Sequence, residues 1–517
     1  MTRRTQLTSL PSELLELIFM NLPTPSMLSV ALTCHTLYSA AVFCLESTIV
    51  IHPAIGSESK SYSPDPYTLA LRLISDPTFG TRVRHLTFSN ISPDNTTALS
   101  PRRGLPILAT RNNATFPRKA NSIASHTIRA HVGSPRLHPH HSKCHRLNWS
   151  QSLRSGVAQY HVAALLSLTP DLRTLDLTWA GLGKWAPFAG PGWLRTALPR
   201  LELLVLRACG KRGCNGSRGW FDGEEWRFPE WAVRGALAAG HPALRSVVLR
   251  DGRAAELQHL EDAAWDAVAA ASPAEVREAA RALGDGEGWK GWMAGGDVAH
   301  NPAVVQSVGR VLGERPATPL RALELRKCAM MPAQLAEVLV LTERGCPGLA
   351  ELVVDLVHPV TRDSYTRQKT IIRLDELGDA LRRLLRDSSG CEEWGKPMTN
   401  KTLSTMRMTL DFVTPKGDIA RAKGGEVGTN GVKWGISGRI GSLRGFEALE
   451  WLEVSWVTLV GLSSGSLQRE NPEYETCMVS GGYLGSVFPQ GLRWLTISDE
   501  MANWQTWEWS PEEVLEM

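Results

Sequence analysis

"LRTLDL", Leu172–Leu177, carries a leucine at its first, fourth and sixth positions. In a strand, side chains alternate between faces, so positions four and six point the same way and can enter one core. The pattern recurs along the chain. It is found at "VRHLTF" (Val83, Leu86, Phe88), "LELLVL" (Leu201, Leu204, Leu206), "LRSVVL" (Leu244, Val247, Leu249) and "LRALEL" (Leu320, Leu323, Leu325). It returns at "LAELVV" (Leu349, Leu352, Val354), "LSTMRM" (Leu403, Met406, Met408), "LEWLEV" (Leu449, Leu452, Val454) and "LRWLTI" (Leu492, Leu495, Ile497). Six copies follow closely on a proline (Pro170, Pro199, Pro242, Pro319, Pro347, Pro489). Proline suits a chain that enters a short strand from a turn.

The repeated string resembles the strand part of a leucine-rich repeat, L-x-x-L-x-L. The spacing is 29 residues from Leu172 to Leu201 and again from Leu320 to Leu349, but other gaps are far longer. Few copies carry the Asn or Cys that usually follows; Cys209 and Cys328 come close. The resemblance implies an irregular leucine-rich-repeat-like α/β solenoid over about 80–510, with a large concave face for protein binding. Helical stretches lie between copies. "QYHVAALLSL" precedes Leu172, and "LDELGDALRRLLRD" sets Leu374, Leu377, Leu381 and Leu384 on one side. Residues 256–284 read as a pair of Ala-rich helices broken at Ser272-Pro273.

Ahead of the array stands "LPSELLELIFMNLPTPSMLSVALTCHTLYSAA", Leu10–Ala41. Pro11 suits a first helical turn and Glu13 complements the helix dipole there. Leu14, Leu17, Ile18 and Leu22 form an apolar stripe, and Pro23 ends the helix. Thr24 and Pro25 start a second helix with Met27, Leu28, Ala31 and Leu32 as its stripe. Thr33 is the expected cap of a third, with Leu37, Tyr38, Ala41 and Leu45 as its apolar positions. About forty residues rarely fold without a partner, so this unit must dock on the rest of the chain or on another protein.

Leu10-Pro11-x-Glu13-Leu14, Ile18-Phe19, Leu22, Leu28 and Leu32-Thr33-Cys34-x-x-Leu37-Tyr38 resemble an F-box, over about 7–48. Ser26 stands where that family usually has an acidic residue, and His35 where Lys or Arg is common. The resemblance implies a three-helix module that binds the Skp-type adaptor of a cullin–RING ubiquitin ligase through Leu10, Pro11, Leu14, Ile18 and Leu22, with Leu28 and Leu32 adding to it. The remainder would then recruit an unknown substrate protein, and the chain itself would catalyse nothing. The alternative is a scaffold that binds the adaptor without directing ubiquitylation.

Composition sets the outer limits. Hydrophobic residues make up 43% of 517, enough for a sizeable core, and the net charge is only +4. No run of eighteen apolar residues indicates a membrane span. Glu13 and Glu16 interrupt the apolar part of the N-terminal stretch, against a secretory signal. Nine scattered cysteines fit a reducing compartment, cytoplasmic or nuclear, with buried free thiols.

Residues 95–170 hold ten Lys or Arg and no Asp or Glu. Within them, about 92–152 reads as a disordered basic insertion. It is a solvated insert in preference to a nucleic-acid contact. "TPKGDIARAKGGEVGTNGVKWG", 414–435, reads as a surface loop. His138, His140, His141, Cys144 and His145 are metal-ligand types, but no second pair stands at finger spacing, so no metal is assigned. Cys209 and Cys214 are likewise weak, and the Gly-rich stretch 284–297, with two Trp, reads as a loop. No phosphate-cradling loop, nucleophile elbow or H-E-x-x-H is present, and no cofactor is called for. Of eighteen Trp, Trp504, Trp507 and Trp509 sit in a polar tail that is expected to fold back on the end of the array.

Overall fold

The computed structural model describes residues 7–51, 66–88, 118–131, 158–179, 192–208, 228, 230–237, 240–252, 318–359, 370–385, 399–413, 434–437, 440–455, 458–459 and 487–498. It is a mixed α/β structure with helices at the start of the sequence and parallel strands later in it. The chain divides into two compact units, one of residues 1–131, 146–178 and 196–202, the other of 132–145, 179–195 and 203–517.

The first unit begins with α1 (Ser12–Met20), α2 (Thr24–Ala31) and α3 (His35–Ser47). Proline sets both early boundaries. Pro11 and Pro23 are the N-caps of α1 and α2, and Asn21 closes α1 two residues before Pro23. Thr33 does not cap α3. Its hydroxyl donates to the Val30 carbonyl at 2.7 Å, which finishes α2, and Cys34 takes the α3 N-cap position without a side-chain bond.

α3 runs straight into β1 (Thr48–Ile51), a strand outside the nine copies. It pairs in parallel with β2 (His85–Phe88), and β2 pairs with β3 (Thr174–Trp179). Between these strands in sequence come α4 (Pro66–Ser75), α5 (Pro77–Arg82), α6 (Arg118–His131) and α7 (Ala158–Ser167). Asp76 caps α5 through the amides of Thr78 and Phe79, at 3.1 and 3.3 Å. Gly80 is held against the Leu168 carbonyl, 2.3 Å from where a Cβ would sit.

The α6 helix corrects the reading of 92–152 as an insertion without regular structure over 118–131; the rest of that stretch lies outside the described residues. Its buried side is Ala120, Asn121, Ala124 and Ser125. Small and polar residues at i and i+4 make a packing face that a search for apolar periodicity passes over.

A short helix, α8 (Gly192–Ala197), comes before β4 (Leu203–Ala208) in sequence. The second unit then has α9 (Glu230–Leu237), β5 (Ser246–Arg250), β6 (Ala322–Cys328), α10 (Pro332–Gly345), β7 (Glu351–Pro359), β8 (Thr370–Arg373) and α11 (Leu374–Arg382). β9 (Thr405–Val413), β10 (Trp434–Ser437), β11 (Trp451–Ser455) and β12 (Trp494–Ser498) complete it.

Its main strands neighbour one another in the order β4-β5-β6-β7-β9-β11-β12, and all six pairings are parallel. Leu204, Val247, Leu323, Leu352, Met406 and Leu452 stand in register as one row, each at most 1% exposed. Leu206, Leu249, Leu325, Val354, Met408 and Val454 form a second row, two residues on and equally buried. Parallel strands demand long crossovers, so one buried row per copy is what keeps successive copies in register.

The strand entries repeat as well. Ala350, Ser404 and Glu450 each accept two amides from the next strand's entry, at 2.8–3.0 Å for the last two. α11 buries Leu374, Leu377 and Leu381, and Leu384 just past its end is buried too, as the spacing predicts. Gly378 lies against the chain at Ile440, where a Cβ would come 1.8 Å from the carbonyl oxygen.

Two further expectations are corrected. Trp434 and Gly435 belong to β10, which pairs in parallel with β8, so the surface-loop reading of 414–435 fails at its end. The last copy does not bury its row: Leu495 and Ile497 are each 41% exposed. The Ala-rich helix pair, the His138–His145 cluster, Cys209 and Cys214, the loop at 284–297 and the Trp-rich tail lie outside the described residues. Among the described residues no helix is long and apolar enough to cross a membrane.

Candidate partner-docking site

The front helices form a core of their own. Leu15 and Phe19 of α1, Met27 and Ala31 of α2, and Leu37, Ala40, Ala41 and Cys44 of α3 are buried together. Leu10 and Leu22 are half-buried against the edge of this core, as are Val30, Phe43 and Leu45. Cys44 ties α3 to α1, its thiol donating to the Glu16 carbonyl at 3.7 Å. Burial, with the Glu16 carboxylate adding to it, pushes that thiol up to about 11.

At the far end of α3, Glu46 receives Arg72 from α4 at 2.7 Å and Arg82 from α5 at 2.8 Å. Arg72 also lies over the Phe79 ring, 3.8 Å from its centroid. The helical front is thus secured within the first unit by both its strand and this ion-pair cluster.

This arrangement leaves apolar residues outside. Leu14, Leu17 and Ile18 lie outside the buried Leu15–Phe19 stripe of α1, and are 46%, 58% and 39% exposed. Leu28 of α2 and Leu32, the C-cap of that helix, stand one turn apart, at 50% and 86%. Leu7 and Tyr38 are exposed too, and so is Pro11. Polar side chains here bond locally: the Asn21 side chain donates to the Leu17 carbonyl at 2.8 Å, and the Ser29 hydroxyl to the Pro25 carbonyl within α2 at 2.9 Å. Five exposed aliphatic side chains on two short helices have no role in holding those helices together. Such surface marks an interaction site.

Of the seven docking residues expected from sequence, Leu14, Ile18, Leu28, Leu32 and Pro11 face outward, while Leu10 and Leu22 serve the core margin. Leu17 belongs with the outward set, although that set omits it. Its signal is position: it is three residues from Leu14 and off the Leu15–Phe19 face. The site offers apolar side chains, with hydroxyls among them. Among the described residues no cluster of three His, Cys, Asp or Glu is placed to hold a metal ion.

Residues 7–44 match the F-box-like family. The matched segment spans α1, α2 and α3 as far as Cys44, so it contains every outward leucine named above. The front of this chain is similar to an F-box, and the similarity favours adaptor binding through these helices. No curated protein matches the chain.

Proposed function

We propose that this protein is a substrate-recognition subunit of an SCF-type cullin–RING ubiquitin ligase. Leu14, Leu17, Ile18, Leu28 and Leu32 dock on the Skp-type adaptor, with Pro11 beside them and Leu10 and Leu22 supporting the surface from the core edge. The adaptor links the chain to a cullin. The region over about 80–510, read as an irregular leucine-rich-repeat-like solenoid of the fungal F-box type, presents the target protein. Its role is proximity: it holds a target lysine near a charged conjugating enzyme and carries out no chemistry itself. Such work belongs to the cytoplasm or nucleus.

The observation that carries this reading is the outward leucine surface within the segment matched to F-boxes. The sequential parallel order of β4 to β12 supports the solenoid reading. So does Cys328, at the position after a copy where Asn or Cys is expected: its thiol donates to Leu249 of the preceding strand at 3.2 Å.

The test is a pull-down with purified Skp-type adaptor, using the whole chain and its Leu14→Lys/Ile18→Lys variant. Both residues are exposed, so the variant should keep its helical signal. Burying two ammonium groups against apolar surface should weaken binding by more than about a hundredfold. A wild-type chain that fails to bind the adaptor would sink the ligase reading. An adaptor complex that never brings cullin with it would favour a scaffold instead.

A further inference from the structure

On β4, β5 and β6 the residue after the second core row is arginine each time. Arg207 is in register with Arg250, and Arg250 with Arg326. The three therefore stand side by side on adjacent strands, about 4.8 Å apart, on the face opposite the core rows. All three are half-buried. Like charges so placed repel unless anions stand among them. Glu324, two residues before Arg326, accepts from its Nε. Asp251 lies among Lys327, Arg250 and Arg207, but burial prevails and holds its carboxyl above the usual carboxylate range. The Nε of Arg250 is buried with no hydrogen-bond partner among the described residues, a costly position for a charged donor.

The backbone beside the row is strained. Asp251 and Lys327 hold positive φ, 55° and 51°, and the register of β6 on β7 shifts between Leu325 and Cys328. Lysine has no short polar side chain to ease a left-handed conformation. A bulge of this kind re-aims the side chains around it, and Lys327, next to Arg326 in the chain, is exposed. The ends of β5 and β6 thus carry a fourth cation beside the arginines.

We propose that Arg207, Arg250 and Arg326, with Lys327, receive an acidic, extended peptide segment of the target protein, whose Asp or Glu carboxylates pair with the guanidinium groups. This deepens, and rests on, the reading of the strand array as the part that presents the target. A guanidinium fork matches a carboxylate through two parallel hydrogen bonds. Acidic residues two apart in an extended peptide stand about 6.7 Å from each other, within the row's span of about 9.6 Å. Carboxylates suit the row better than phosphate. Arg326 already holds the carboxylate of Glu324, and Asp355 acts on Asp251 beside the row. These acids repel a phosphate dianion about twice as strongly as a single charge.

The experiment is fluorescence anisotropy on the whole chain with a labelled peptide of alternating Glu and Ser. One comparison peptide has Gln for every Glu, and another is that Gln peptide with some of its serines phosphorylated. The Glu peptide should bind, and Arg250→Gln/Arg326→Gln should weaken it at least about tenfold. Arg407→Gln/Arg493→Gln removes the same charge from arginines already paired with Glu453 and Glu450, and should change binding less than about twofold. Lys327→Gln, on an exposed side chain, should weaken binding about threefold and carries the test if the double variant unfolds. Glu and Gln peptides binding alike, or equal losses in the two arginine pairs, would overturn the proposal. Tighter binding of the phosphorylated peptide would overturn it too, in favour of a phosphate reader. The Arg250→Gln/Arg326→Gln variant should still pull down the adaptor. A wild-type chain that holds the adaptor but not the Glu peptide sinks this proposal alone; one that holds the peptide but not the adaptor sinks the ligase reading.

Discussion

In the second unit Leu323, Leu352 and Leu452 are fully buried, while on the front helices Leu14, Leu17, Leu28 and Leu32 keep roughly half or more of their surface. Both sets are leucines in regular elements with clean periodicity. The difference lies in what each element meets. A parallel strand has neighbours on both edges and a helical layer to face, so its core row is consumed by folding. A helix of nine residues in a three-helix front has one face to bury, and α1 gives that face to Leu15 and Phe19. Leucines left over after folding are available for binding.

Truncations put numbers on this contrast. Phe19→Ala should cost about 3–5 kcal/mol and unfold the front helices, measured by chemical denaturation. Leu323→Ala and Leu352→Ala, each removing a member of a buried row, should cost about 2–5 kcal/mol. Leu17→Ala and Leu14→Ala should move stability by less than about 0.5 kcal/mol. Equal costs at Phe19 and Leu17 would erase the distinction between the two faces of α1.

The glycines sharpen the same point at smaller scale. Gly378→Ala, with Ile440 in the way, should cost about 1–3 kcal/mol as overpacking. Gly348→Ala, whose Cβ would meet only the Leu320 carbonyl at 3.9 Å, should be neutral within about 0.5 kcal/mol.

The thiols give the gentlest test. Cys34 is exposed and Cys44 is buried. At pH 8 a thiol reagent should label Cys34 and spare Cys44 until the helices unfold. Because folding raises the Cys44 pKa from 9.0 to about 11, its contribution to stability is complete below pH 9 and is lost as pH rises towards 11. Denaturation midpoints across that range should fall for wild type and fall less for Cys44→Ala.

The strand copies were legible because a two-residue alternation leaves little choice of face: all nine strings fall on strands, and eight bury the rows their spacing predicts. The front helices were legible as elements, since Pro11 and Pro23 punctuate them. Their faces were not. α1 is apolar nearly all round, so spacing favoured Leu14, Leu17, Ile18 and Leu22, and the Leu15–Phe19 face became visible only once α3 packed on it. α6 was hidden for the opposite reason, since its buried side of Ala, Asn and Ser carries no hydrophobic signal. The parallel pair of β8 and β10 was missed because β10 lies at the end of a Gly- and Lys-rich run.

By itself the sequence determined the nine strand copies and the helix starts at Pro11 and Pro23, and it supplied the resemblance of the front to an F-box. These are local matters, fixed by proline's geometry, side-chain alternation and short-range spacing. Tertiary structure decided which leucines of α1 and α2 remain outside, that α3 continues into a strand, and that Leu495 and Ile497 of the last copy keep part of their surface exposed. Each depends on what stands opposite a side chain, and the residues that stand there come from distant parts of the chain.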